Sequence, residues 1–357
     1  MIPAVLEDGA RSESEKTANN TDKELYIEEI RNLAKDIGLE PIMVALKMKT
    51  IQAQIDEIPL GETVLNLCDG SDIDGVPGPS VAKYLEHKKH NVVGCDSVFI
   101  DNTLTKHGMK TIFNNSQIST PNGFLAIAAT DLQVQVKKLN MDFPLFVKIS
   151  DSYGSVGLDD DSVCHDFAQL TKKCTKLFQS FTNLMIEEYI DGKEFSVLVS
   201  GDSRANPENV VVYPPSERAF RSDLSKYQRF VAFDRNWDEN DMGHEYIKVE
   251  DQEDDAALRD IARRAYISVA GNCYGRVDVR KRESNGKLYV LEVNASCGLG
   301  KNSSSDFILN LGGKTTLDFF KIILGDVTGN DAHQGFHNGR DDTTKFHELS
   351  SLVDVVH

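Results

Sequence analysis

The chain has 357 residues, with 39 Lys and Arg against 56 Asp and Glu, and a formal charge of −17 at pH 7. That length suits roughly two to three domains at about 150 residues each, and 40% hydrophobic residues supply apolar material for large cores. So acidic a chain excludes a generic binder of nucleic-acid backbone and a docker on anionic membranes, and no apolar run reaches the ~18 residues that span a bilayer. The N-terminal MIPAVLEDGARSESEK turns acidic too soon for a signal peptide. Six cysteines without a C-x-x-C pair read as reduced, structural thiols. The expectation is a soluble, cytoplasmic, multidomain protein.

In chain order, Ile2 to Leu6 is a candidate first strand, followed by a polar stretch over 7–24. From Thr21 to Gly38 the apolar residues Leu25, Ile27, Ile30, Leu33 and Ile37 recur near the helical period, and Gly38 supplies the stop. Pro41–Leu46, Thr63–Leu67 and Asn91–Gly94 read as short buried strands, with a helix from Ser80 to His87 after the break at Pro77-Gly78-Pro79. This spacing suggests an open α/β layer. Further on, Pro144–Ile149 is a strand entering a Gly/Ser loop that ends at Gly157, and Asp166–Phe181 is a helix. Leu184–Ile190 is a strand, with Phe195–Ser200 as its expected hairpin neighbour across Asp191-Gly192. A strong helix over Asp254–Gly271, acidic in its first turn, leads into strands Arg276–Arg280 and Leu288–Asn294 around Ser284-Asn285-Gly286. From Asp326 the sequence thins into a stretch read as a flexible tail, where His333 and His337 carry little promise of a metal site.

The last hairpin carries the most chemistry. Residues two apart share a strand face, so Arg276 points with Asp278, and Glu292 with Asn294. An odd loop would set Asp278 opposite Glu292; an even one would need a bulge to do so. Two carboxylates and an amide oxygen converging on one face suit Mg²⁺, and Arg276 beside them can stabilise charge on a reacting oxygen. As bare cross-strand pairs they would contribute only about 0.2–1 kcal/mol. Lys148 ends an apolar strand before the Gly/Ser loop, an arrangement suited to phosphates. P-loop, dinucleotide and kinase signatures are absent.

Six segments in this order resemble the ATP-grasp superfamily, in its D-alanine–D-alanine ligase-like branch, over about residues 60–325. They are Thr105-Lys106; Pro144 to Ser150 (PLFVKIS); Ser152 to Gly157; Ile186 to Val197; Gly275 to Val279 (GRVDV); and Leu291 to Gly298 (LEVNASCG). Leu65 to Gly70 (LNLCDG) looks like a first-domain segment of the same branch. The resemblance implies an ATP-grasp fold, α/β overall and α+β in the nucleotide-binding part. An N-terminal α/β domain would cover 1–100, a central subdomain 101–190 and a C-terminal subdomain 191–325, the last two sandwiching ATP between antiparallel sheets, with 326–357 as tail.

It also implies roles. Lys106 and Lys148 would touch the ATP phosphates, and the loop holding Ser152, Gly154, Ser155, Val156 and Gly157 would close over them, Ser155 at the reacting groups. Glu187, Glu188, Tyr189 and Ile190 would form the adenine hinge, and Glu194 would take the ribose. Asp278, Glu292 and Asn294 would hold Mg²⁺, two ions in this family, with Mn²⁺ as an alternative. Arg276 would sit at the transferred phosphoryl group, and Ser296, Gly298 and Ser303 at a substrate carboxylate. The stretch Pro214–Phe230 would be a lid, bringing Arg218 and Arg221 to substrate and Lys226-Tyr227 to the reaction. The implied activity is ATP-dependent joining of a carboxylate to an amine through an acyl phosphate, releasing ADP and phosphate. The alternatives are an ATP-grasp kinase or phosphotransferase and a non-catalytic ATP-binding regulator. The partners would be small-molecule carboxylates and amines, and the branch often dimerises through its N-terminal layer. Departures, notably Cys297 where bacterial ligases carry proline, leave D-alanine as substrate open.

Overall fold

The computed structural model describes residues 13–72, 75–127, 131–152, 154–236, 243–327 and 352–356. The strand expected at Ile2 to Leu6, and His333 and His337, lie outside them. The first helix, α1 (Glu13–Asp36), starts before Thr21, buries Ile30 and Ala34, and ends as Gly38 takes φ +84° and its N–H reaches Lys35 O at 2.9 Å. The chain then alternates: β1 (Pro41–Ala45), α2 (Ile51–Asp56), β2 (Thr63–Asn66), α3 (Pro79–His87) with proline at its first position, and β3 (Asn91–Val93). Strands β2 and β3 pair in parallel, so the expected α/β layer is present.

Next come α4 (Ser97–Thr103) and α5 (Lys106–Asn115), capped by Asp96 and Thr105. Their apolar residues Phe99, Met109 and Phe113 share a core with Val197, Val277, Val293 and Leu258. Residues 97–115 therefore pack with the C-terminal part, which corrects the division expected near residue 100. The central sheet begins after them: β4 (Gly123–Ala126), α6 (Leu132–Lys138), β5 (Leu145–Ile149), β6 (Val163–Cys164), α7 (Phe167–Leu177) and β7 (Leu184–Glu188). Its antiparallel order is β4-β7-β5-β6, over a core of its own.

A larger sheet follows, from β8 (Lys193–Ser200), β9 (Val211–Val212), β10 (Ser216–Phe220), α8 (Phe233–Asn236), β11 (His244–Lys248), α9 (Gln252–Ser268), β12 (Tyr274–Lys281) and β13 (Leu288–Ala295). Its order is β11-β10-β8-β12-β13, with β9 beside β8. Strand β8 is thus no hairpin partner of β7: β7 is occupied on both edges by β4 and β5, and Asp191-Gly192 carries the chain from one sheet to the next. Gly192 has φ +98°, and a Cβ there would lie 2.3 Å from Lys281 O.

Helix α9 buries Leu258, Ile261, Ala262, Ala265 and Tyr266 against the valine face of this sheet. The opposite face carries the charged side chains. The hairpin register has a specific cause. Asp278 lies opposite Glu292 and Arg276 opposite Asn294, but Val279 pairs with Val290, so Leu291 is bulged. The connection is even-numbered, and the bulge restores the face. Val290 and Val293, three apart, consequently share one core.

Two helices, α10 (Ser304–Leu311) and α11 (Thr316–Val327), follow the large sheet. The stretch read as a tail does not end loose. Strand β14 (Leu352–Val356) inserts in parallel between β1 and β2, giving the N-terminal sheet the order β1-β14-β2-β3. Among the described residues, no helix is long and apolar enough to cross a membrane.

Candidate active site

Between the central and large sheets lies a cavity of about 710 Å³, closed at one end by α1 and the 296–304 loop. Lys106, Lys148, Ser152, Gly154, Ser155, Val156, Glu187, Glu188, Tyr189, Ile190, Glu194, Arg218, Arg276, Asp278, Glu292, Asn294, Ser296, Gly298 and Ser303 all line it. Residues more than a hundred positions apart in sequence thus meet around one space.

At one end are the lysines. Lys148, on β5, pairs with Glu187 on β7 at 2.7 Å, and Lys106, at the start of α5, donates to Ser152 O at 2.5 Å with Glu292 at 3.7 Å. Burial pushes the Lys106 ammonium down despite Glu292. Gly154 and Ser155 take φ +57° and +64°, which turns the loop over the cavity. Gly157 does not line the cavity; it is a pivot at φ +76°, where a Cβ would lie 2.7 Å from Ile149 Cδ1. Beside the hinge, Phe146, Tyr189 and Phe230 form an apolar wall, with Phe146 and Phe230 edge to face at 5.1 Å.

Glu194 is buried and accepts from both Arg218 and Arg280, the latter at 3.1 Å. Arg280 also donates to Ile190 O at 2.6 Å and to Arg229 O, tying the hinge to the large sheet. The carboxylate expected to take the ribose is therefore also a structural clasp. Next on the same face, Asp278 accepts from Ser196 Oγ at 2.8 Å, from Arg276 Nε and Nη2, both at 2.8 Å, and from Asn294 Nδ2 at 3.0 Å. Burial raises its pKa, but Arg276, together with Arg218 and the Ser196 hydroxyl, outweighs burial and holds the carboxyl below its ordinary range. The donor set suits a hard divalent cation: one ionised carboxylate, a second directly across the ladder, and an amide whose oxygen can turn inward.

The 296–304 loop closes the far end. Ser296, at φ +51°, has a buried Oγ without a hydrogen-bond partner in the structure. Arg276 Nη1 reaches Ser304 Oγ at 3.3 Å, and Ser303 caps α10. Cys297 is buried beside Ser305 Oγ at 3.5 Å, and burial pushes its thiol up, as suits a structural group. From α1, Glu29 accepts the Lys301 N–H at 3.1 Å, and Tyr26, Glu29 and Asp69 join the lining.

Besides Gly157, three expected residues lie off the cavity. Arg221 is exposed and paired with Asp223 at 3.1 Å; Lys226 lies over the Tyr227 ring at 4.9 Å; and Tyr227 packs on His165 and Tyr189. None of them lines the cavity. Arg218 does line it, but from strand β10, because pairing with β8 sets it beside Glu194. Sequence reading missed Lys110 and Arg280, each with a detectable signal: one sits a helical turn beyond Lys106, the other two strand positions beyond Asp278. Tyr26 and Glu29 gave none, being polar positions on an amphipathic helix.

Residues 124–323 match the family model described as the D-ala D-ala ligase C-terminus. The chain is 27% identical over 305 residues to D-alanine–D-alanine ligase B of Xanthomonas campestris pv. campestris, covering 84% of this chain and 86% of that one. It is 29% identical over 211 residues to the D-alanine–D-alanine ligase of Marinomonas sp., covering 57% of each. Among solved structures, the D-alanine–D-alanine ligase from Bacillus anthracis complexed with ATP superposes with a TM-score of 0.60 at 18% identity, over 79% of this chain and 83% of that one. The VanG D-Ala:D-Ser ligase from Enterococcus faecalis gives 0.61 at 18% identity, over 74% and 73%. With the sheets, the cavity and the family match in agreement, the chain has the ATP-grasp fold and belongs to the D-alanine–D-alanine ligase family of ATP-dependent, ADP-forming ligases.

Proposed function

We propose that this protein joins the carboxylate of one amino acid to the amino group of a second through an acyl phosphate, with D-alanine as the first substrate to test. One observation carries the reading: Asp278, Glu292, Asn294 and Arg276 share a cavity with Lys106, Lys148, Ser152, Gly154, Ser155 and Val156. The three sheets divide the work. The central and large sheets hold ATP between them, and the N-terminal layer contributes Cys68, Asp69 and Gly70 to the substrate end. The substrate preference rests on charge. Glu29 and Asp69 suit an ammonium, while Arg276 and the 296–304 loop suit a carboxylate. The relatives named above are D-alanine–D-alanine ligases and a D-Ala:D-Ser ligase.

A carboxylate is a poor acyl donor at neutral pH. In the proposed sequence its oxygen attacks the γ-phosphorus of ATP, ADP leaves, and the amine of the second substrate then displaces phosphate from the acyl carbon. Asp278, Glu292 and Asn294 would hold Mg²⁺, one or two ions, which when bound neutralises charge on the phosphate oxygens. Lys148 and Lys106 orient the polyphosphate as point cations. Arg276, held protonated by Asp278, sits where negative charge gathers on the oxygen of the tetrahedral intermediate. The Gly154-Ser155 turn covers the phosphates, so that the amine reaches the acyl phosphate before water does.

The test is incubation with ATP, Mg²⁺ and D-alanine, alone and then with a pooled amino-acid panel, reading ADP, phosphate and new masses. Ligation yields all three, with an amide as the product. A stable phosphorylated product would instead identify a kinase, and no turnover would leave a binding protein. Asp278→Asn combined with Glu292→Gln is expected to lower kcat/KM at least about a hundredfold; unchanged turnover would remove the metal assignment.

A further inference from the structure

Glu187 is one carboxylate set between two ammonium groups. Its Oε1 lies 2.7 Å from Lys148 Nζ and its Oε2 lies 2.9 Å from Lys110 Nζ, with all three residues no more than 6% exposed. Lys148 and Glu187 line the cavity; Lys110 does not. It approaches the carboxylate from α5, whose Met109 and Phe113 are fixed in the core of the large sheet. Its remaining hydrogens go to Thr120 Oγ1 at 2.9 Å and Pro121 O at 2.6 Å, at the segment leading into β4. Lys110 thus bridges the two halves of the nucleotide cleft through two hydrogen bonds and one ion pair.

The charge count gives this arrangement a purpose. Two lysines and one glutamate leave one net positive charge, on the cavity side. Without Lys110, the same carboxylate would face a single cation, and both its oxygens would turn to Lys148. The ammonium meant for the phosphates would then be neutralised by its own neighbour.

We propose that Lys110 is a positioning residue for nucleotide binding, holding Glu187 back so that Lys148 keeps charge available to the ATP polyphosphate. This rests on the ATP-dependent reading above. It differs from a plain structural role in one respect: the effect of removing Lys110 depends on the Glu187 charge.

The experiment is a mutant cycle read by calorimetric titration of ATP in Mg²⁺ buffer, with thermal melts confirming that each variant is folded. Lys110→Met is expected to weaken ATP binding about tenfold in the wild-type background and less than about twofold in a Glu187→Gln background. Lys110→Gln keeps a donor for Pro121 O, removes only the charge, and gives the same pattern; it replaces Lys110→Met should that variant melt. An equal loss in both backgrounds, or no loss in either, would overturn the positioning role while leaving ATP binding intact. Wild-type protein that binds no ATP would overturn the ATP reading itself, and this inference with it.

Discussion

Glu194 is buried with an arginine on each side, Arg218 from β10 and Arg280 from β12. Removing one member of such a buried cluster costs up to about 3–5 kcal/mol: without Arg280, Glu194 keeps Arg218 alone, and Ile190 O and Arg229 O lose this donor. Arg280→Met should therefore lower the urea midpoint strongly. Lysine should not restore it, since one ammonium cannot reach Glu194, Ile190 O and Arg229 O in the planar fork that Arg280 uses. Glu187 gives a second prediction, with pH as the variable. Burial alone would raise its pKa, but Lys110 and Lys148 outweigh burial and hold it below the ordinary carboxylate range. A depressed folded pKa means that the unfolded chain takes up the proton first. The stabilisation is complete above the unfolded value, about 4.3, and is lost as pH falls through the folded value. The stability gap between wild type and Glu187→Gln, from urea titrations, should shrink as pH drops from about 5 to about 3. A constant gap would remove the charge argument.

At the scale of elements, the loop after β5 and the stretch after β10 are joined. Asp160, just beyond the loop, accepts from Gln228 Nε2 at 2.8 Å and from Arg235 Nη1 at 3.0 Å, and the Phe233 N–H reaches Leu158 O at 2.9 Å. Asp160→Ala should loosen both segments together. Hydrogen exchange should rise over 151–160 and 221–236 alike, and ADP release should outrun amide formation as water reaches the acyl phosphate. Faster exchange in only one segment would show that the two move independently. These contacts were not legible in sequence, because they join side chains about seventy positions apart with no shared period. The charged face of the β12–β13 hairpin was legible, since the alternation of Arg276 with Asp278 and of Glu292 with Asn294 is local. Its register was readable only as a choice between an odd loop and an even loop with a bulge. The β7–β8 assignment failed for a related reason: two adjacent apolar strands with a Gly turn look like a hairpin whether or not they belong to one sheet.

Across the whole molecule, the charge of −17 argues against nucleic acid as a broad surface partner, yet is silent on ATP. The cavity gathers Lys106, Lys148, Arg218, Arg276 and Arg280 in a chain of net charge −17. Composition averages over a surface, whereas a nucleotide meets a few side chains. Topology shows the same gap between local and global. The stretch beyond Asp326 is polar enough to read as a tail, and nothing within it shows that Leu352–Val356 lies between β1 and β2. A parallel strand in that position supplies ladder bonds on both edges, so its loss would leave β1 and β2 unpaired with each other. Cys68, Asp69 and Gly70 lie just beyond β2 and line the cavity at its proposed substrate end. Deleting residues 352–357 should therefore lower Tm by several degrees and raise the KM for amino acid more than the KM for ATP, whose proposed site lies between the other two sheets. Asp354→Pro, which removes one donor from a central strand, should act in the same direction. An unchanged Tm in both variants would show that the layer stands without its C-terminal strand. Equal losses for both substrates would show that the layer supports the whole cleft rather than its amino-acid end.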